Sequence, residues 1–405
     1  MAGVGQVSVD DVLAARSLLD GVVRLTPMEN SRVLAARVGG PTSLKCENLQ
    51  RTGSFKIRGA YVRIAQMSPE ERSAGVVAAS AGNHAQGVAL AARLLATSAT
   101  VFMPATAPLP KIAATRAYGA EVRLAGSTVD EALVEARAFE KETGSVLVHP
   151  FDHIDIIAGQ GTVGLEILEQ CPDVRTVLVC TGGGGLVAGV GVAVKALRPE
   201  ARVVAVQAED AAAYPASLAA GRPIPLERMA TMADGIAVGC PGDVTFEVFR
   251  DVVDEVVTVS EDALSRALLL CLERAKMVVE PAGVAAVAAV LEEPRRFEPP
   301  VVAVLTGGNV DPVLLLRVIQ HGMIAAGRYL SFRIRIGDRP GELARLLRLL
   351  AELGANVLDV EHSRTGPKLH LGEVEVALSV ETRGPDHCEE LLAALQRAGR
   401  PLSFS

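Results

Sequence analysis

From about residue 42 to residue 307 the chain alternates two kinds of segment: short, continuously apolar runs rich in β-branched residues, and longer Ala-rich stretches with apolar positions at helical spacing. The runs are GVVAAS (75–80), ATVFMP (99–104), EVRLAG (121–126), SVLVHP (145–150), TVLVCTG (176–182), RVVAVQ (202–207) and VVAVLTG (301–307). A strand covered by helices on both faces has no solvated side and loses its polar alternation, so these runs predict a mostly parallel, buried sheet in an α/β fold. Several end in Gly, Ser, Thr or Pro just before a helix. Loops at the carboxyl ends of such strands are the ones that face a ligand.

The pattern changes near residue 327. Segment 329–405 reads strand (YLSFRIRI), helix (PGELARLLRLLAELG), strand (NVLDVEHSR), strand (HLGEVEVALSVET), helix (DHCEELLAALQRAG) and a short terminal strand. This βαββαβ order is the ferredoxin-like pattern. Its elements are too short and too amphipathic to continue the first sheet, so a domain boundary is expected in AAGRYL, residues 325–330.

A length of 405 residues agrees with two or three domains. With 49% hydrophobic and 21% charged residues there is ample apolar surface to bury, which excludes a disordered class. The net charge of −7, with no basic block, leaves no electrostatic footprint for nucleic acid or an anionic membrane, and small-molecule chemistry becomes the expectation. Cys46, Cys171, Cys180, Cys240, Cys271 and Cys388 are scattered without a CxxC pair, which fits reduced thiols in a cytosol. The start, MAGVGQVSVDDVLAARSLL, has no cationic leader before an apolar core, and the apolar stretches elsewhere are broken by Gly, Pro or charge. A cytoplasmic location is expected.

Four segments carry candidate chemistry. In ENLQRTGSFKIRGAY (47–61), Lys56 lies between Phe55 and Ile57. A lone lysine so placed is usually a surface residue whose apolar stem is covered. A lysine that must form an imine, by contrast, needs a desolvated site that lowers its pKa. In VVAASAGNHAQGVALAARLLA (76–96), a strand leads through Ser80, Ala81, Gly82 and Asn83 into a helix, where unpaired amides are suited to a carboxylate; Ser80 and Asn83 are equally suited to capping that helix. In VLVCTGGGGLVAGVGVAV (177–194), Gly182, Gly183, Gly184 and Gly185 let successive amides converge on one anion at a helix start, though a Gly run alone is also consistent with a tight turn. It lacks the GK[ST] of a nucleotide P-loop and the spacing of a dinucleotide fingerprint. In VVAVLTGGNVD (301–311), Thr306 ends a strand, where its hydroxyl either caps the next helix or faces a ligand.

Taken in this order, the four segments resemble the fold type II pyridoxal-phosphate family, and within it the threonine dehydratase and serine racemase group. ENLQRTGSFKIRGA and SAGNHAQG match that group nearly residue for residue, GGGGL matches its phosphate loop and TGGN its usual SGGN or CGGN. The similarity covers about residues 20–325. It implies a catalytic domain over 1–326 made of two open, twisted α/β subdomains, the smaller (about 53–153) inserted in the larger. Lys56 would be the Schiff-base lysine and catalytic base, Phe55 would pack beside the cofactor ring, and Asn83 would hydrogen-bond the phenolic oxygen. Gly182, Gly183, Gly184, Gly185 and Leu186 would hold the phosphate, and Thr306 would face the pyridine nitrogen. Ser80, Ala81, Gly82, Asn83 and His84 would surround the substrate carboxylate, with Gly235 and Glu280 on the far wall beside the cofactor.

The implied reaction is loss of water and then ammonia from L-threonine, giving 2-oxobutanoate, with L-serine to pyruvate as a side activity. A proton for the departing hydroxide is assigned to the cofactor phosphate, since these motifs supply no evident second acid. A neutral hydroxyl at the pyridine nitrogen makes a weaker electron sink than a carboxylate partner would, which favours elimination over transamination. Related racemases carry serine at the position of Ala81, and a methyl cannot transfer a proton, so little racemisation is expected. AEDAAAYP lacks the second acid of the racemase cation site near Glu209, and no metal is expected. His149 and His153 have no third ligand at a useful spacing and are read as loop residues. A serine dehydratase or racemase is the alternative within the group, and a non-catalytic amino-acid sensor the alternative outside it.

The tail resembles an ACT domain over 329–405, on DRPGELARLL and GANVLDVEHSR. The resemblance implies a regulatory amino-acid site at Gly341, Glu342, Leu343 and Asn356, with isoleucine or valine as effector; a purely structural pairing domain is the other reading. Both parts imply a homodimer or homotetramer.

Overall fold

The computed structural model describes residues 7–365, 369–398 and 402–404. It contains the strands β1 (Met28–Asn30), β2 (Thr42–Cys46), β3 (Val76–Ala79), β4 (Ala99–Met103), β5 (Glu121–Leu124), β6 (Val146–Leu147), β7 (Thr176–Cys180), β8 (Arg202–Ala208), β9 (Glu255–Val259), β10 (Val301–Leu305), β11 (Tyr329–Gly337), β12 (Asn356–Ser363), β13 (Glu373–Glu381) and β14 (Leu402–Phe404). A six-stranded sheet has the order β1-β2-β10-β7-β8-β9, parallel except for the β1–β2 pair. A parallel four-stranded sheet, β5-β4-β3-β6, is built wholly from residues that lie in sequence between β2 and β7. This is the expected α/β architecture, with an antiparallel third sheet at the C-terminal end.

Central strands behave as their sequences require. Every residue of β3, β4, β7 and β10 is buried, because helices cover both faces and only apolar side chains can be desolvated there without a partner. EVRLAG differs: β5 is an edge strand whose residues are largely exposed, with Arg123 stacked over the Phe139 ring at 4.5 Å. SVLVHP forms only the two-residue β6, since the chain turns at His149, whose Nδ1 accepts the Asp152 amide at 2.8 Å.

The strand β2 was not foreseen, because TSLKC carries a lysine among its buried positions. A buried ionic cluster explains it. Lys45 Nζ lies 2.6 Å from Glu166 and donates to Thr26 O at 2.9 Å, while Arg58 reaches both oxygens of Glu47 at 2.8 Å and Glu166 at 2.7 Å. Each charge is compensated, which is what allows it to leave water. The cluster ties β2 and the helix Ile154–Gln170 to the helix Lys56–Ala65, whose first residue is the candidate lysine. The two helices meet at glycines: a β-carbon on Gly159 would lie 2.7 Å from Gly59 Cα.

The chain forms two compact units, Met1–Leu315 and Leu316–Ser405. The division falls earlier than the change in sequence character at 325–330, within the helix Pro312–Ala325, which runs unbroken across it. In the second unit the antiparallel order β12-β13-β11-β14 carries the helices Glu342–Glu352 and Pro385–Arg397, with Phe332, Ile334, Leu346, Val376 and Leu391 in its core. Among the described residues no helix is long and apolar enough to cross a membrane, and the six cysteines are unpaired.

Candidate active site

The carboxyl ends of β3, β7 and β10 bring the four motifs together. The segment before Lys56 is laced to the end of β10: Ser54 forms a bridge with Gly307, the Phe55 amide donates to Thr306 O at 3.3 Å, and the Gly308 amide donates to Gly53 O at 2.8 Å. Asn309 adds Nδ2 contacts to Thr52 O at 2.6 Å and Asn83 Oδ1 at 2.7 Å. Lys56 is thereby held with its Nζ 5.1 Å from the Phe55 ring centroid and donating to Pro150 O at 2.8 Å. Burial pushes its ammonium down from 10.5 to about 8, against the pull of Glu280. An amine with that value is neutral for an appreciable part of the time near pH 7, so it can act as nucleophile and base.

After β3 the chain turns through Ser80–Ala81–Gly82 into the helix Asn83–Leu94. Ser80 Oγ accepts the Gly82 amide at 3.2 Å, and no side chain caps the helix, so its first amides stay available. Asn83 Nδ2 donates to Glu280 Oε1 at 2.5 Å rather than to the helix end. His84 is buried, with Nε2 2.7 Å from Val148 O. Burial, with Lys56 nearby, takes it down to about 3, so its ring stays neutral and is committed to Val148; only its amide belongs to the turn. His149 is likewise neutral, held down to about 4 by burial, and His153 caps the helix Ile154–Gln170 through the Asp155 amide. Both histidines accept backbone amides through Nδ1, His149 from Asp152 and His153 from Asp155.

The glycine loop connects β7 to the helix Gly185–Leu197. Gly184, at φ +92°, occupies the left-handed region, and a β-carbon there would lie 1.9 Å from the Tyr214 hydroxyl, which donates to Gly183 O at 3.2 Å. A β-carbon on Gly183 would strike the Phe151 ring at 2.4 Å, and Leu186 is buried behind the loop. Thr306 is buried immediately after β10. Glu280 is also buried; burial and then Asp234 raise it to about 7, while the hydrogen bond from Asn83 works the other way. Gly235 lies beside it, a β-carbon there being 3.8 Å from Glu280 Oε1.

The family described as Pyridoxal-phosphate dependent enzyme matches residues 19–307, and the ACT domain family matches 331–399. The chain belongs to the pyridoxal-phosphate dependent enzymes. An L-threonine ammonia-lyase of Thermotoga maritima is 48% identical over 393 residues, covering 97% of this chain and 98% of its own. One of Geobacter sulfurreducens is 45% identical over 380 residues, 93% of this chain and 94% of its own. The structure of the processed form of threonine deaminase isoform 2 from Solanum lycopersicum is similar with a TM-score of 0.75 and 37% identity, covering 78% of this chain and 87% of that one.

The side chains present fit pyridoxal phosphate. Gly183 and Gly184 carry no side chain where the loop packs against Phe151 and Tyr214, so only backbone lies between β7 and the helix start, where free amides suit a phosphate. Asn48 Oδ1, Thr52 Oγ1 and Ser54 Oγ are buried without partners in the segment leading to Lys56, polar atoms that suit a site made for a polar ligand.

Several residues of the site were not foreseen. Asn309 closes TGGN, and only its contacts to Thr52 and Asn83 give it a part in the site. Phe151 and Lys111 sit in no motif, Tyr214 and Asp234 only adjoin residues read for other reasons, and the parts of all four follow from contacts between distant segments. Lys111 Nζ lies 3.0 Å from Asp234.

In the ACT unit, Gly341, at φ +91°, starts the helix Glu342–Glu352, Glu342 pairs with Arg345 at 2.8 Å, and Leu343 packs on the core. Asn356, at the start of β12, donates to Glu381 at 3.3 Å.

Proposed function

We propose that the chain is a threonine ammonia-lyase, a carbon–nitrogen lyase that converts L-threonine to 2-oxobutanoate and ammonia, with L-serine to pyruvate as a slower side activity. The observation that carries this reading is the desolvated amine of Lys56, held against Pro150 O among three strand ends that also present a glycine loop, an uncapped helix start and a buried hydroxyl. Lys56 holds the cofactor through Nζ. The amides of Gly182, Gly183, Gly184, Gly185 and Leu186 take its phosphate, Phe55 packs on the ring, Thr306 faces the ring nitrogen, and Asn83, fixed by Glu280 and Asn309, reaches the phenolic oxygen. Pyridoxal phosphate, when bound, withdraws electrons from the substrate Cα and makes its proton acidic. Lys56 Nζ, freed when the substrate amine takes its place and partly neutral in its half-buried site, would take that proton. The turn Ser80–His84 receives the carboxylate through its amides, and Gly235 and Glu280 close the far side.

Ala81 offers a methyl on the face where a racemase needs an acid or base, so elimination prevails over racemisation. The ACT unit serves regulation, with isoleucine or valine at Gly341, Glu342, Leu343 and Asn356, in a cytoplasmic homodimer or homotetramer. Initial rates with L-threonine and L-serine, with and without isoleucine or valine, test the reading together with D-serine formation. Faster release of 2-oxobutanoate than of pyruvate, a response to one effector and only traces of D-serine are expected. D-serine appearing as fast as pyruvate overturns the reading of Ala81, and no 2-oxobutanoate overturns the function.

A further inference from the structure

Lys111 is a charge the motifs do not account for. It stands in the first turn of the helix Leu109–Ala117, between β4 and β5 of the four-stranded sheet. Long lysine chains ordinarily extend their heads into water. This one does not: its side chain is only 13% exposed, and Nζ meets Asp234 at 3.0 Å. Asp234 begins the turn Asp234–Ile236, between β8 and β9 of the other sheet, so the pair links segments belonging to the two sheets.

The position of the ammonium is informative. A β-carbon on Gly82 would lie 4.0 Å from Lys111 Nζ, so the amine stands directly over the turn that ends in the uncapped helix start. On its other side are Asp234 and, through Gly235, the buried Glu280. An amino-acid carboxylate entering this turn adds a negative group beside the buried Glu280 and the more exposed Asp234. Backbone amides provide only partial positive charge. A full opposite charge is needed to offset the loss of water, and Lys111 is the ammonium in contact with that turn.

We propose that Lys111 recognises the α-carboxylate of the amino-acid substrate at the Ser80–Asn83 turn, exchanging its pairing with Asp234 for one with the substrate, and so makes a free carboxylate a condition of binding. This rests on the reading of the chain as an amino-acid deaminase. Lys111 is a specificity residue here: it touches the carboxylate, which carries the same charge before and after the bonds at Cα and Cβ break, so its loss appears in KM more than in kcat.

Two ligands separate charge recognition from general packing. L-alanine has no β-hydroxyl to lose, and L-alaninamide is the same ligand without the carboxylate. Their binding to the holoenzyme is followed by the change in visible cofactor absorbance, in the wild type, Lys111→Ala and Lys111→Arg. Lys111→Ala is expected to weaken L-alanine about 10-fold, the size of one partly exposed charge-assisted contact, and to leave L-alaninamide within about twofold. Lys111→Arg keeps the charge and is expected to retain L-alanine binding within about threefold, which also answers a folding defect in the alanine variant. In deamination of L-threonine, Lys111→Ala is expected to raise KM by about 10-fold with kcat changed less than about threefold. Equal weakening of both ligands, or of neither, overturns the proposal. Absence of threonine deamination in the wild type overturns the functional reading instead and leaves the ligand comparison to stand.

Discussion

Replacing Lys56 with methionine isolates the cost of burying its amine. In the cofactor-free protein, burial lowers the ammonium from 10.5 to about 8, which at about 1.4 kcal/mol for each tenfold change amounts to about 3 kcal/mol. The sign follows from proton linkage. Between those two values the unfolded chain still holds the proton that the folded chain has released, so stability rises with pH through the window, and the penalty stands in full below about pH 8. Methionine has a similar unbranched reach and no charge. Its substitution also strips Pro150 O of the 2.8 Å contact, but that loss does not depend on pH. Urea unfolding of both cofactor-free proteins, followed by far-ultraviolet circular dichroism at equal concentration from pH 7 to 10.5, separates the two effects. The advantage of the methionine variant over the wild type is expected to shrink by about 3 kcal/mol across the range. A difference that stays constant with pH refutes the claim that this amine is desolvated.

Three further outcomes are expected. Gly184→Ala, with φ +92° and a β-carbon 1.9 Å from the Tyr214 hydroxyl, should destabilise by about 1 to 3 kcal/mol and weaken pyridoxal phosphate in a titration, and adding Tyr214→Phe should restore part of both. Arg58→Met leaves the buried Glu47 without its cation and should cost about 3 to 5 kcal/mol in urea unfolding, with part recovered by adding Glu47→Gln. Glu280 is raised from 4.5 to about 7 by burial and Asp234, so the folded chain keeps a proton that the unfolded chain releases; its contribution is present below 4.5 and lost as pH rises to about 7, and Glu280→Gln should flatten the stability profile between those values.

What was legible in the sequence was whatever local chemistry fixes. Runs such as TVLVC and VVAVL can only be buried strands, and the ACT unit was readable from alternation along YLSFRIRI and EVEVALSVE. The motif residues could be named because each motif is contiguous. What escaped depends on pairing over long separations. Lys45 argues against a buried strand until Glu166 is placed beside it, 121 residues away. EVRLAG looks like its neighbours although it lies at an edge, since sheet order is not written in any one strand. His84 sits in the carboxylate motif, yet its ring turns to Val148, a choice made by the space behind the turn. Phe151 and Tyr214 shape the glycine loop from segments whose sequence gives no sign of that contact.

The account depends on Lys56 being the residue that holds the cofactor. Borohydride reduction of the holoenzyme, digestion and peptide mass mapping read this directly. The account predicts one reduced pyridoxyl group, on Lys56; the same group on Lys111, Lys45 or any other lysine, or no stable modification at all, would contradict it.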